Sequence, residues 1–88
     1  MHEVRIQRRA EKQLSKLSND GFEKCMRAIE ALADDPYTGA RKMQGEFAGW
    51  YRKSVSGEYR VAYTIEDGDV HVVEVVWVGT RQNAPWDR

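Results

Sequence analysis

The 88-residue sequence is short of the features that mark several common classes of protein. Its single cysteine, Cys25, cannot form an intrachain disulfide. That excludes a disulfide-stapled secreted scaffold and leads us to expect a reducing compartment. No uninterrupted apolar run approaches the roughly 20 residues that span a bilayer, so no membrane partner is expected. The opening stretch, Met1 to Arg5, lacks an apolar leader pattern, which points to the cytoplasm. Neither sign of charge is in surplus: 14 Lys and Arg balance 14 Asp and Glu, so the molecule as a whole is no polycation. Phosphate-loop and dinucleotide fingerprints are missing. His2 and His71 stand far apart in the chain, and no metal-ligand spacing recurs. Neither a metal nor a cofactor is therefore expected.

What is present is unevenly placed charge. Residues 1–17 carry five cations against two acids, and 18–40 carry two against five. Residues 41–60 return to five against two, and 61–88 again hold two against five. Blocks of this kind suit a fold with one basic and one acidic face, and equally an ordinary ionic surface. The hydrophobic share of 41% is enough for one small core, and we expect a single domain over residues 1–88.

Val4 and Ile6 alternate with polar neighbours and predict a short first strand. From Arg8 the period lengthens, with Ala10, Leu14 and Leu17 on one helical face. Ser18-Asn19-Asp20-Gly21 breaks that helix and offers capping oxygens to a second. Phe22, Cys25, Met26, Ile29, Leu32 and Ala33 then form an apolar stripe, which makes Cys25 a buried thiol rather than a nucleophile. Asp35 precedes Pro36, which ends the helix. A connection follows in which Arg41-Lys42-Met43 reads as a short extended segment.

Three strands complete the chain, joined by the Gly-containing turns Ser56-Gly57-Glu58 and Asp67-Gly68-Asp69. Tyr59, Val61, Tyr63 and Ile65 share one face and should meet the helices, leaving Arg60 on the open face. In the last strand Val70, Val72, Val76 and Val78 make a core set, but Glu74 falls on the same side. A β-bulge or a rim position accounts for it most simply. The expected fold is α+β in two layers. It has a short N-terminal strand and an antiparallel helix pair packed on a twisted, mainly antiparallel sheet that ends in a three-stranded meander.

The meander carries a spaced set of cations: Arg52, Lys53, Arg60 and Arg81. Cations converging over one sheet face would bind phosphate and stabilise developing negative charge. Arg52 and Lys53 are neighbours on a strand, so alternation sends them to opposite faces and only one should join Arg60. Arg41, Lys42 and Trp86 are further candidates for contact with nucleic acid. Glu74 and His71 are reserve candidates for proton transfer, each with a plain structural alternative.

The segments Gly49-Trp50-Tyr51-Arg52-Lys53, Gly57-Glu58-Tyr59-Arg60-Val61-Ala62-Tyr63 and Val78-Gly79-Thr80-Arg81 resemble the RelE/ParE superfamily of bacterial toxins. The likeness in size and element order covers nearly the whole chain. It implies the toxin of a toxin–antitoxin pair, with a cognate antitoxin protein as partner. RelE-like members cleave messenger RNA on the ribosome, whereas ParE-like members poison DNA gyrase; a non-enzymatic binding module that has lost activity is the third alternative. For the first activity, the resemblance implies catalytic roles for Arg60, Arg81 and Lys53, with Arg52 in place of Lys53 if the turn before Tyr59 differs in length. Trp86 stands near the position where the family often has a tyrosine; an indole can stack on a base but offers no useful proton.

Overall fold

A computed structural model describes residues 1–87. The elements are β1 (Glu3–Ile6), α1 (Arg8–Ser15), α2 (Asn19–Ala31), β2 (Arg41–Lys42), β3 (Tyr51–Val55), β4 (Tyr59–Asp67) and β5 (His71–Thr80). Short 3-10 turns lie at Gly45–Phe47, Arg81–Asn83 and Pro85–Asp87. The five strands form one sheet in the order β1-β5-β4-β3-β2. β1 runs parallel to β5 and every other pairing is antiparallel, so the expected α+β architecture holds.

Local chemistry explains the punctuation. Ser18 caps α2, its Oγ accepting the Gly21 N–H at 3.1 Å. Ser56 and Gly57 both have positive φ, 50° and 74°, the pairing that joins strands with a matching twist. Beyond the end of β1 the free edge of β5 would leave an amide unpaired. The Gln13 side chain from α1 accepts that Val78 N–H at 2.9 Å.

The helices cover one face of the sheet. Ala10, Leu14, Cys25, Ile29 and Leu32 pack there against Val55, Tyr59, Val61, Tyr63, Val73, Val75 and Val78. Burial pushes the Cys25 thiol up to about 11, in keeping with an inert core residue. Tyr59, Val61 and Tyr63 are buried as expected, and Ile65 packs partly against the same core. Phe22 departs from the predicted stripe: it lies at the start of α2 and is 43% exposed.

The last strand also departs from expectation. A register shift sits where Ala62 pairs with Trp77 but Tyr63 pairs with Val75, leaving Val76 as the extra residue. The bulge exchanges the inward set. Val73, Val75 and Val78 face the helices, Val70 is exposed, and Val76 is buried on the opposite side. Glu74 lies outside the helix-facing core, level with Thr64 on β4 and Arg5 on β1.

Gly21 is a point of close approach. A Cβ at this position would lie 2.7 Å from Tyr59 Cζ and Oη. Alanine gains about 1 kcal/mol of helix propensity over glycine, whereas overpacking costs about 1–3 kcal/mol. Gly21→Ala should therefore lower the urea midpoint at unchanged m-value; a raised midpoint would show that the Tyr59 ring yields freely.

Asp35 shapes the exit from α2. A side-chain hydrogen bond with Thr38, with the backbone N–H groups of Thr38 and Tyr37 donating as well, holds its carboxyl at about 2 rather than 3.8. A depressed folded pKa contributes stability that is present above 3.8 and lost as pH falls through about 2. Asp35→Asn should flatten the stability profile between those limits in acid titrations followed by circular dichroism, with an unchanged slope counting against this linkage.

Candidate nucleic-acid interface

The strand registers decide which cations meet. On the face away from the helices, Arg41 pairs with Arg52, Arg52 with Ala62, and Ser54 with Arg60. Arg41, Arg52 and Arg60 accordingly line one cleft of about 270 Å³, together with Gly39, Ser54 and Asp87. Lys53 pairs with Val61, whose side chain belongs to the helix-facing core. The structure thus puts Arg52, not Lys53, beside Arg60. Lys53 instead reaches the connection after α2, where its Cε lies 3.5 Å from the position of a Cβ on Gly39.

Within the cleft, Arg60 Nη1 donates to the carbonyls of Tyr59 (2.9 Å) and Gly57 (3.2 Å), which leans the guanidinium over the β3–β4 turn. Arg52 Nη1 donates to Asp87 Oδ1 at 3.1 Å, the one carboxylate among the described lining residues. Both partners are partly exposed, so water screens the pair and it remains open to exchange. Gly79 is the cross-strand neighbour of Arg60, and its missing side chain makes room for the Trp77 indole. A Cβ at Gly79 would lie 2.6 Å from Trp77 Cη2.

A second apolar cluster fixes the surroundings of the cleft. Met43, Ala62, Val76, Trp77 and Ala84 are buried there, with Phe47, Trp50 and Trp86 packed against them. Trp86 meets Trp77 edge-on, with centroids 4.9 Å apart, and Phe47 at 6.2 Å. Its Nε1 is buried and has no hydrogen-bond partner. The partly buried indole packs on this cluster beside Asp87, which reaches Arg52. Trp86 also lines an adjoining cleft with Lys42 and Arg52.

Arg81 begins the 3-10 turn after β5, two residues beyond the partner of Arg60, and its N–H donates to the Glu58 carbonyl at 3.0 Å. His71 is placed elsewhere. It opens β5 opposite Asp67, seven residues along β4 from Arg60, a distance of about 23 Å in an extended strand. There it meets His2, the residue from which sequence distance had separated it. Sequence reasoning missed Asp87 and Ser54. The Ser54 position follows from strand parity with Arg52, but nothing local marks an acid 35 residues downstream as a partner of Arg52.

Comparison with known proteins supplies the family. The sequence model of the ParE-like toxins of type II bacterial toxin–antitoxin systems matches residues 4–85. No curated protein matches the sequence. Among solved structures, the RelBE2 toxin–antitoxin complex from Mycobacterium tuberculosis aligns with TM-score 0.82 at 25% identity, covering 91% of this chain and 98% of that one. A mutant of the Escherichia coli RelE toxin in the free state aligns at 0.71 with 28% identity, covering 89% and 81%. The archaeal RelE–RelB complex from Pyrococcus horikoshii shares the fold at 0.73 with 21% identity, covering 94% and 98%. Among the described residues no helix is long and apolar enough to cross a membrane. With a family match over nearly its whole length and this fold, the chain belongs to the ParE-like toxins of type II toxin–antitoxin systems, within the RelE/ParE superfamily.

Proposed function

We propose that the protein is a ribosome-dependent messenger-RNA endoribonuclease acting in the cytoplasm as one toxin domain. The observation that carries this reading is the convergence of Arg41, Arg52 and Arg60 on the sheet face opposite the helices, with Arg81 at the neighbouring strand end. Guanidinium groups match phosphate oxygens in geometry and stay charged at any physiological pH. The lining is cationic, a set that attracts a phosphate and repels a metal ion.

In the reaction, the ribose 2′-oxygen attacks the adjacent phosphorus as the bond to the 5′-oxygen breaks. The products are a 2′,3′-cyclic phosphate and a free 5′-hydroxyl. Arg60 and Arg81 neutralise the charge that builds on the phosphorane-like transition state, and Arg52 and Arg41 position the backbone. Because arginine remains protonated, the site supplies charge and not a base; the 2′-hydroxyl proton leaves to water, and water returns a proton to the departing 5′-oxygen. Lys53 leaves β3 on the side of Val61 and reaches Gly39 at the cleft's edge, and we give it no part in the chemical step. Trp86 packs in the second apolar cluster and lines the adjoining cleft with Lys42 and Arg52, where its ring edge is available to a base. A cognate antitoxin is the protein partner; two of the solved structures named above are complexes of a toxin with its antitoxin.

A second reading, inhibition of DNA gyrase without nuclease activity, draws support from the ParE-like family match and the balanced net charge. The two separate in one experiment. Arg60→Ala and Arg81→Ala, made singly, should each relieve growth arrest and slow transcript cleavage in a reconstituted translation system by about a hundredfold. Unchanged toxicity in both folded variants would overturn the nuclease assignment. Loss of gyrase supercoiling with intact transcripts would establish the second reading.

Asp87 competes with phosphate for Arg52. An exposed ion pair is worth up to about 1 kcal/mol, so Asp87→Asn should tighten single-stranded RNA binding by up to about fivefold at low salt. Screening should erase the gain near 1 M salt. Fluorescence anisotropy reads both, and equal or weaker affinity at low salt would remove Asp87 from the phosphate site.

A further inference from the structure

Far from the arginine cleft, three metal-ligating side chains meet at the other end of the sheet. His2 Nε2 lies 2.9 Å from Asp67 Oδ1, and His71 Nδ1 lies 2.5 Å from the same oxygen. All three ligand atoms fall within 4.8 Å of one another. We propose that His2, Asp67 and His71 form a binding site for a divalent transition-metal ion of the zinc class, which clips the N-terminal segment to the β4–β5 hairpin.

The donor set selects the ion. Two imidazoles and one carboxylate suit Zn²⁺ and its neighbours, whereas Mg²⁺ and Ca²⁺ prefer oxygen alone. Metal–ligand bonds of 2.0–2.1 Å in a tetrahedron place ligand atoms about 3.3 Å apart, so each imidazole–carboxylate distance needs to open by less than about 1 Å. A neutral imidazole presents a lone pair to the metal by carrying its proton on the other ring nitrogen. Three protein ligands leave a fourth position for water.

The backbone holds these donors ready. Asp67 and His71 are direct cross-strand partners, so the hairpin fixes their spacing. The His2 N–H donates to the Ala33 carbonyl at 2.8 Å, which anchors the third donor just before β1. The His2 ring packs edge-on against His71, with centroids 5.5 Å apart, and against Tyr37 at 6.3 Å. The Tyr37 hydroxyl donates to Asp67 Oδ2 and so turns Oδ1 toward the two imidazoles, the outer-shell role that ligating carboxylates commonly need. His2 is largely covered, with 13% of its side chain exposed, while His71 is 57% exposed and leaves the site open to solvent.

The test uses the full-length, tag-free protein and Zn²⁺ alone as the probe, with Mg²⁺ as control. Isothermal titration should show one Zn²⁺ per chain, and excess Zn²⁺ at about a hundred times the dissociation constant should raise Tm by about 10 °C or more. Co²⁺ should give the visible absorption of a low-symmetry site with nitrogen ligands. His71→Ala and Asp67→Asn, both at exposed positions and checked for folding by circular dichroism, should each weaken Zn²⁺ binding at least tenfold and abolish the Tm shift. Absence of saturable one-to-one binding in the unmodified chain overturns the proposal, as does binding of equal strength in both variants. Because the arginine cleft lies at the other end of β4, both variants should retain full toxicity, a readout independent of the nuclease reading.

Discussion

The ladder between β4 and β5 is the constraint on which the rest of the structure depends. It runs from the Tyr59–Thr80 pair beside Arg60 to the Asp67–His71 pair at the other end of the sheet. Its alternation assigns Tyr59, Val61 and Tyr63 to the helix side and Arg60 to the open side. Its bulge at Val76 reverses the parity of β5 part-way along. Before the bulge Val73 and Val75 fill the helix-facing core; after it Val78 does, while Trp77 is released to the other face. Without that extra residue, plain alternation would turn Trp77 toward the helices and Val78 to the opposite face.

Two apolar layers of unequal size therefore sandwich the sheet. The larger, under the helices, holds the fold; the smaller, built on Trp77 and Trp86, organises the chain end and the connection around Phe47. The smaller cluster leaves the neighbouring face at Arg41, Arg52 and Arg60 open to solvent. Gly79 links the two regions, since the indole of Trp77 occupies the space its side chain would need beside Arg60. A core residue and a phosphate-binding candidate thus share one glycine.

Electrostatically, the molecule is neutral in sum and polarised in detail. Three arginines gather at one cleft, and the only acid among its described lining residues is Asp87, delivered from the chain end. At the opposite end of β4, Asp67 collects His2, His71 and Tyr37. The two groups are set apart by the length of a strand, so charge changes at one are strongly screened at the other.

Much of this was legible in the sequence, because period-two and period-three-to-four patterns are local. They set the element order, the helix-facing residues of β4 and the open-face position of Arg60, and they made Cys25 a core thiol. The motifs carried the family as well. Pairing register is not local. Whether Arg52 or Lys53 joins Arg60 depends on how β3 docks on β4, and a shift of one residue would exchange them. The inward set of β5 turned on a bulge that Glu74 only hinted at. Trp86 and Asp87 lie in a tail without periodicity, where contacts alone decide placement. His2 and His71 are 69 residues apart and meet only because β1 adds to the sheet beside β5. The sequence by itself determined the order of the elements and which residues of β4 lie under the helices. Tertiary structure alone decided which charges share a cleft, because distant segments acquire a common face only once the strands are in register.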